Sequence, residues 1–148
     1  MSRAAGSETP FEDRGASALR ALRGHLDLDE VEAALGVYRQ SRERIRGWQP
    51  PPREWLDLIK GLLGVEAWDS AIAVMEDYDA GTEAPSPRVR LKLGQLLLNV
   101  QGRPAHALRV LDRIAADELP GPLEALRRQL RSRAEVLREE GPPELDAS

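Results

Sequence analysis

The chain has 148 residues, of which 41% are hydrophobic, 4% aromatic and 31% charged, and its net charge is −4. The acidic balance gives no general affinity for nucleic acid, and the absence of cysteine excludes disulfides, thiolate nucleophiles and the usual structural zinc sites. Leu, Ala, Arg and Glu dominate, so the composition predicts one helical domain with a core of aliphatic side chains and alanine.

The first two predicted helices follow a polar amino-terminal segment. Residues 1–12 are small and polar and are predicted to be disordered, with no secretory signal. A short amphipathic helix is predicted over about 16–26. Asp27 and Glu30 have the spacing of a capping box, so the second helix is predicted to begin there and to end near residue 46.

Prolines and small polar residues mark the limits of the three middle helices. Pro52 is predicted to begin the third helix, which ends at Gly64, and a fourth helix follows at once. Ser86 and Pro87 predict a cap and a first-turn proline for a fifth helix over about 88–100. Because the fifth helix is apolar nearly all round, it is predicted to lie at the centre.

Two further helices complete the predicted domain, which spans residues 13–140. Pro104 is predicted to begin the sixth helix, with His106 on its solvated side. The seventh helix carries one narrow apolar stripe over 123–137 on a charged surface, which is what a terminal capping helix requires. Residues 141–148 are predicted to be a disordered tail.

An internal repeat relates the helix pairs. Ala34, Ala71 and Ala107 are separated by 37 and 36 residues, and each is followed four residues later by a large side chain. A small side chain lets two helices of a hairpin approach closely, while a bulky one a turn later fills the neighbouring groove. The period therefore predicts that successive helix hairpins stack, with a tight crossing at each alanine.

The segment from Trp55 to Tyr78 resembles a divergent tetratricopeptide repeat, and the one from Leu91 to Ile114 is similar to a second. The positions that carry the first likeness are Trp55, Leu58, Leu62, Ala71, Met75 and Tyr78. The resemblance covers about residues 16–120. It implies an all-α fold, a right-handed α-solenoid of about three helix hairpins plus a C-terminal capping helix.

A second likeness concerns membrane systems. The segments 55–60 and 88–95 look similar to helical tails attached to some bacterial rhomboid-type membrane proteins. No proteolytic residue can be carried over, and no apolar run approaches the length that spans a bilayer. We therefore expect no direct membrane insertion and a cytoplasmic location, or a place at the cytoplasmic face of a membrane through a partner.

Side chains suited to chemistry are few and scattered. His25 and His106 have no second histidine or cysteine at metal-ligand spacing, and the acidic residues between 76 and 79 sit at a polar helix end where solvated charge is the ordinary explanation. We expect no enzyme activity, no metal and no cofactor. The arginines at 127, 128, 131 and 133 could contact phosphates, but local pairing on a capping helix is favoured, and no nucleic acid partner is expected.

The resemblance implies that a peptide or protein partner lies along the concave face formed by the first helix of each hairpin. The candidate binding residues are polar side chains on the third and fifth predicted helices: Arg53, Asp57, Lys60, Lys92, Gln95 and Asn99. The alternative is that these residues only mark the solvent-facing stripe. The leading hypothesis is a non-enzymatic protein-interaction scaffold.

Two observations bear on the alternatives to this scaffold. Residues 54–83 contain one basic and eight acidic side chains, whereas residues 84–133 contain ten basic and four acidic ones. This asymmetry fits two solvated faces, or a bipolar surface that orients a partner. The second function hypothesis is a structural spacer or oligomerisation module within a larger system, with a dimer formed through the first and seventh helices.

Overall fold

The structure, a computed structural model, describes residues 11–142 and residue 144, and this part of the chain contains helices and no strand. Its helices are α1 (Phe11–Asp27), α2 (Val31–Arg44), α3 (Pro52–Gly64), α4 (Trp68–Gly81), α5 (Pro87–Asn99), α6 (Pro104–Leu111) and α7 (Gly121–Glu140). The all-α prediction is confirmed for these residues. The predictions of disorder for residues 1–10, 143 and 145–148 lie outside the described residues.

The chain divides into two compact units, Met1–Ala67 and Trp68–Ser148. In the first unit, α1 packs on α2 and α3, and α2 packs on α3. In the second unit, α5 packs on α4, α6 and α7, and α6 packs on α7. The boundary follows the turn after α3, where Glu66 adopts a left-handed backbone with a φ of 59°.

Most of the predicted helix boundaries are confirmed. Pro52 and Pro104 open their helices, and Gly64 is the last residue of α3. Ser86 caps α5, since its hydroxyl accepts a hydrogen bond from the Val89 N–H at 3.4 Å. Proline fits the first turn because that position needs no intrahelical donor.

The capping box predicted at Asp27 and Glu30 is wrong. α1 begins at residue 11, earlier than predicted, and continues to Asp27, whose carboxylate accepts a 3.0 Å hydrogen bond from Arg23 Nε within the same helix. Glu30 occupies the N-cap of α2 without a side-chain capping bond, and its carboxylate lies 2.7 Å from His25 Nδ1. The chain turns at Asp29, where φ is 57°, and α2 starts after it.

Most buried residues of the first unit are aliphatic or alanine, as the composition predicted, and an aromatic cluster of Tyr38, Trp48 and Trp55 packs among them. The Trp55 indole N–H donates to the Tyr38 hydroxyl at 3.0 Å, and the two rings lie 6.3 Å apart between centroids. Trp48 meets Tyr38 edge-on at the same separation. The Arg42 guanidinium lies 5.5 Å from the Tyr38 ring centroid and 5.7 Å from that of Trp55, within cation–π range. These residues join α2, α3 and the loop between them.

Close packing around α5 forms the core of the second unit. Six residues of α5 are buried, namely Leu91, Leu93, Gly94, Leu96, Leu97 and Leu98. A Cβ atom at Gly94 would lie 2.6 Å from Leu111 Cδ2 and 2.8 Å from its Cγ, so α5 and α6 meet where only glycine fits without displacement of Leu111. The prediction that this helix is central is therefore confirmed for its own unit.

The repeated alanines are all fully buried. Ala34, Ala71 and Ala107 each have a relative exposure of 0%. Each lies on a helix that packs against its neighbours in the same unit: α2 against α1 and α3, α4 against α5, and α6 against α5 and α7. Their burial agrees with the steric role that the sequence period assigns to them.

Candidate functional site

The six predicted binding residues are divided between the two units, because α3 belongs to the first unit and α5 to the second. On α3, Arg53 and Lys60 are exposed, whereas Asp57 is half-buried. The Asp57 carboxylate accepts a 2.9 Å hydrogen bond from Arg23 Nη1 of α1, and the same nitrogen lies 3.3 Å from a carboxylate oxygen of Glu54. Asp57 thus ties α3 to α1, which reduces its availability to a partner.

The three predicted residues of α5 form one polar stripe. Lys92 and Asn99 are exposed and Gln95 is half-buried. Lys92 Nζ donates to Gln95 Oε1 at 3.4 Å, and Asn99 Oδ1 accepts a 2.9 Å bond from Arg133 Nη1 of α7. The stripe therefore runs along α5 and is braced at its carboxyl end by α7.

A cleft lies within the second unit on the other side of α5, and it includes none of the six predicted residues. It encloses about 340 Å³. Its lining comes from α4, α5, α6 and the turn after α6: Glu76, Asp79, Ala80, Arg90, Leu93, His106, Val110 and Arg113. In helical projection, Arg90 and Leu93 fall nearly opposite the stripe of Lys92, Gln95 and Asn99.

One carboxylate and two guanidinium groups form the charged wall of this cleft. Arg90 Nε donates to Asp79 Oδ1 at 2.6 Å, and Arg113 Nη2 donates to Asp79 Oδ2. Arg90 Nη1 also donates to the Arg113 carbonyl oxygen at 2.9 Å, which fixes the turn after α6. The Asp79 side chain is 7% exposed and that of Arg113 is 48% exposed. The expectation that the acidic residues near 76–79 are simply solvated is therefore wrong for Asp79.

Glu76 and His106 face each other across the cleft, with Glu76 Oε2 and His106 Nε2 3.2 Å apart. Burial raises the pKa of Glu76, and Asp77 and Asp79 add to this effect while Arg103 opposes it. Burial also lowers the pKa of His106, with further lowering by Arg103, Arg109 and Arg113 and an opposing effect of Glu144. Both shifts favour the uncharged form of each group.

The sequence predicted that His106 lies on the solvated side of α6, and this prediction is wrong. The His106 side chain is 20% exposed, and within the described part of the chain its Nδ1 atom is buried with no hydrogen-bond partner. Protonating Nδ1 would place an N–H donor in this buried position. Geometry and burial thus agree that the neutral ring is favoured.

We expect the His106 ring to titrate below the ordinary histidine pKa of 6.5 in the folded protein. The unfolded chain then binds this proton at a higher pH than the folded chain, so the stability contributed by His106 is present above pH 6.5 and is lost as pH falls toward the lowered pKa. NMR titration of the His106 ring Cε1–H signal measures the pKa of His106 in the folded protein. The signal is assigned by its loss in the variant His106→Gln. A midpoint at or above pH 6.5 would contradict the burial argument.

The arginines of α7 are engaged within the second unit. Arg127 Nε donates to Glu124 Oε1 at 2.8 Å, and Arg128 Nε donates to Glu124 Oε2 at 3.1 Å. Hydrogen bonding from Arg127, supported by Arg128 and opposed by desolvation, lowers the pKa of Glu124 to about 2. Arg131 pairs with Asp112 and Glu135. These contacts match the local pairing that the sequence favoured over phosphate contacts.

Three comparisons place this geometry against known proteins. No family model, no curated protein and no solved structure matches the chain. In the described part of the chain, no group of three or more histidine or acidic side chains is arranged to hold a metal ion. Between residues 11 and 142, none of the helices combines the length and apolar character that membrane crossing requires.

The sequence indicates His106 and the acidic residues between 76 and 79 as separate polar groups, and it does not predict that they line one cleft. Glu76 and Asp79 are three residues apart on α4, and His106, Arg109 and Arg113 recur at three- and four-residue intervals along α6 and its end. Such spacing places each set on one helix face. The pairing of the two faces depends on how α4 and α6 pack on α5, which the spacing alone does not define.

Proposed function

We propose that this chain is a non-enzymatic scaffold that binds a peptide or protein along the concave face of a right-handed α-solenoid. The solenoid consists of about three helix hairpins, and α7 is its C-terminal cap. The observation that carries the proposal is the complete burial of Ala34, Ala71 and Ala107 at a period of 36 or 37 residues. A buried small residue at each period supports a series of similar helix crossings.

The order of packing within each unit supports the same architecture. In a stack of hairpins, each helix packs on its successor, and the first helix of one hairpin also packs on the first helix of the next. In the first unit α1 packs on α2 and on α3, and in the second unit α5 packs on α6 and on α7. This packing supports the proposed solenoid.

The stripe of Lys92, Gln95 and Asn99 is the part of the proposed binding face that the structure favours. It exposes polar groups on a helix whose leucines are buried, so it offers directional hydrogen bonds from a rigid element. Arg53 and Lys60 add exposed cations on α3. We place the protein in the cytoplasm, or at the cytoplasmic face of a membrane through a partner.

The double variant Lys92→Glu with Asn99→Ala tests the proposal. We expect it to abolish partner capture, because charge reversal and loss of an amide remove two exposed contacts, while helicity stays unchanged. Affinity purification from the native host, followed by mass spectrometry, measures capture. The matched control is Arg138→Glu with Gln129→Ala, which makes the same types of change at exposed positions of α7. Equal capture by both variants would remove the stripe from the binding face.

A structural spacer or oligomerisation module is the second candidate. Val136 and Leu137 near the end of α7 are 50% and 38% exposed, which is unusual for adjacent large aliphatic residues on a capping helix. Mass measurement over a range of concentrations separates the two functions. A dimer that forms with rising concentration through α1 and α7 supports the module, whereas a monomer that captures peptides supports the scaffold.

A further inference from the structure

The first turn of α6 has no cap from its own neighbours in the sequence. Arg103 occupies the N-cap without a side-chain capping bond, and its N–H donates to a backbone carbonyl oxygen of α5 at 2.9 Å. Pro104 has no N–H, and the intrahelical bonds begin with the Ala107 N–H, which donates to the Arg103 carbonyl oxygen. The N–H groups of Ala105 and His106 are therefore the two donors of this turn that need a partner from elsewhere.

Both of these donors bond to one carboxylate that lies beyond the end of α7. Glu144 Oε1 accepts from the Ala105 N–H at 2.8 Å, and Glu144 Oε2 accepts from the His106 N–H at 3.2 Å. Arg103 Nε lies 3.6 Å from the same Oε2 atom. A carboxylate in this position also interacts favourably with the helix dipole. Glu144, which follows Ala105 by 39 residues, thus supplies the missing cap of α6.

Residues 141–144, which we call the strap, connect this carboxylate to α7. The Gly141 N–H donates to the Leu137 carbonyl oxygen at 2.9 Å and so completes the last turn of α7. Gly141 and Pro142 are exposed, whereas the Glu144 side chain is only 15% exposed. The sequence has two consecutive prolines at 142 and 143, which limit backbone freedom and so reduce the entropy lost when Glu144 binds. Among the described strap residues, the contact with α6 is therefore made by the carboxylate.

The strap also forms part of the lining of a groove at the end of α7. The groove encloses about 460 Å³. The strap contributes Gly141, Pro142 and Glu144 to it, and the remaining lining comes from Gly102, Arg103, Pro104 and Leu137. Leu137 is 38% exposed. The position of the strap therefore determines whether Leu137 faces a walled groove or open solvent.

We propose that the strap is a conformational device that opens and closes over the first turn of α6, and that the Glu144 carboxylate is the contact that holds it closed. In the closed state Glu144 caps α6 and the strap lines the groove. In the open state the N–H groups of Ala105 and His106 bond to water. α6 and α7 stay folded in both states because they pack directly on each other. This inference goes beyond the scaffold function and does not depend on it.

The contacts that hold the strap are of a kind that salt weakens. Arg103 is 22% exposed at its side chain, so ions reach its pair with Glu144. The interaction between a carboxylate and a helix dipole is also screened by salt. The exposure of Gly141 and Pro142 means that these two residues add little apolar burial to closure. We therefore expect the strap to open as the ionic strength rises.

NMR spectroscopy of the full chain measures closure of the strap. We expect nuclear Overhauser effects between the γ protons of Glu144 and the amide protons of Ala105 and His106 at low salt. At about 1 M salt, where the Debye length is about 3 Å, we expect these effects to weaken while the amide dispersion of α6 and α7 is retained. Their absence at low salt, or an intensity that does not change with salt, would overturn the proposal.

Glu144→Gln, with Glu139→Gln as its matched control, tests whether charge holds the strap closed. Glu144→Gln keeps the length of the side chain but removes its charge. We expect the amide protons of Ala105 and His106 to exchange with water about tenfold faster, because charge-assisted bonds are weakened. Glu139→Gln makes the same change at an exposed position of α7, and we expect rates within about twofold of wild type. An equal increase in both variants, or an increase throughout α6, would refute a local strap.

The His106 ring provides a second measurement, which reports the charge of Glu144. Burial lowers the pKa of His106, and the Glu144 carboxylate opposes this effect. We therefore expect the His106 pKa to fall further in Glu144→Gln and to stay at its wild-type value in Glu139→Gln. An unchanged His106 pKa in Glu144→Gln would contradict closure of the strap. Partner capture that depends on Lys92 and Asn99 tests the scaffold separately, and neither result decides the other.

Discussion

Replacing Trp55 by alanine is expected to lower the free energy of unfolding of the first unit by about 3–5 kcal/mol, the usual cost of truncating a buried tryptophan. Trp55 is among the largest fully buried side chains, and it contacts Tyr38 and Arg42 through its ring. The truncation also removes the indole N–H that donates to the Tyr38 hydroxyl. Urea unfolding followed by the amide NMR signals of the first unit measures the change.

Two further substitutions test whether the loss of stability in Trp55→Ala comes from the central position of Trp55 in the aromatic cluster. Trp55→Phe keeps an aromatic ring in the cluster and is expected to cost less than Trp55→Ala, because less volume is removed. Trp68→Ala is the matched truncation at a half-buried tryptophan and is expected to cost about 1–2 kcal/mol. Equal costs for Trp55→Ala and Trp68→Ala would contradict the central position of the aromatic cluster.

Gly94→Ala is expected to destabilise the second unit by up to about 2 kcal/mol even though alanine is the better helix former. The new methyl group would meet Leu111 at 2.6 and 2.8 Å, and Leu111 is fully buried and cannot swing into solvent. Overpacking of this kind costs about 1–3 kcal/mol, and the gain in helix propensity of about 1 kcal/mol offsets only part of a cost in the upper part of that range. Thermal and urea unfolding of the variant measure the balance.

The glycine on α2 provides the matched control for Gly94. Gly36 is also within a helix, and a Cβ there meets no described atom within 4 Å. Gly36→Ala is therefore expected to stabilise the protein by about 0.5–1 kcal/mol. In a double-mutant cycle, Gly94→Ala should be better tolerated on a Leu111→Ala background, since the clashing atoms are gone. If Gly94→Ala stabilises the protein as much as Gly36→Ala does, then α5 and α6 are not in close contact at Gly94.

The ends of a helix could be predicted from the sequence where a residue can take only one position at a helix end. Pro52 and Pro104 mark first turns because proline lacks a backbone donor, and Ser86 caps because its hydroxyl accepts from the N–H of Val89. The α1–α2 junction was mispredicted because Asp27 has two possible roles. Its carboxylate pairs with Arg23 one turn earlier in α1 instead of capping α2, and nothing in the local spacing decides between the two.

The candidate site was less predictable than the fold because it depends on packing. A polar residue on an exposed helix face can be recognised from helical spacing, as Lys92 and Asn99 were. The burial of Asp79 depends on two arginines that approach it from α5 and from the end of α6. These arginines follow it in the chain by 11 and 34 residues, so helical spacing does not connect them. The orientation of His106 also depends on packing, because its ring faces Glu76 of α4.

The distribution of tryptophan gives the protein an uneven optical response. Trp48 and Trp55 lie in the aromatic cluster of the first unit, whereas Trp68, at the start of α4, is half-buried in the second. Intrinsic fluorescence will therefore report mainly on the first unit, while ellipticity averages over the helices of both. If the two units melt at different temperatures, the emission and ellipticity curves will separate, and neither curve alone will then describe the stability of the whole chain.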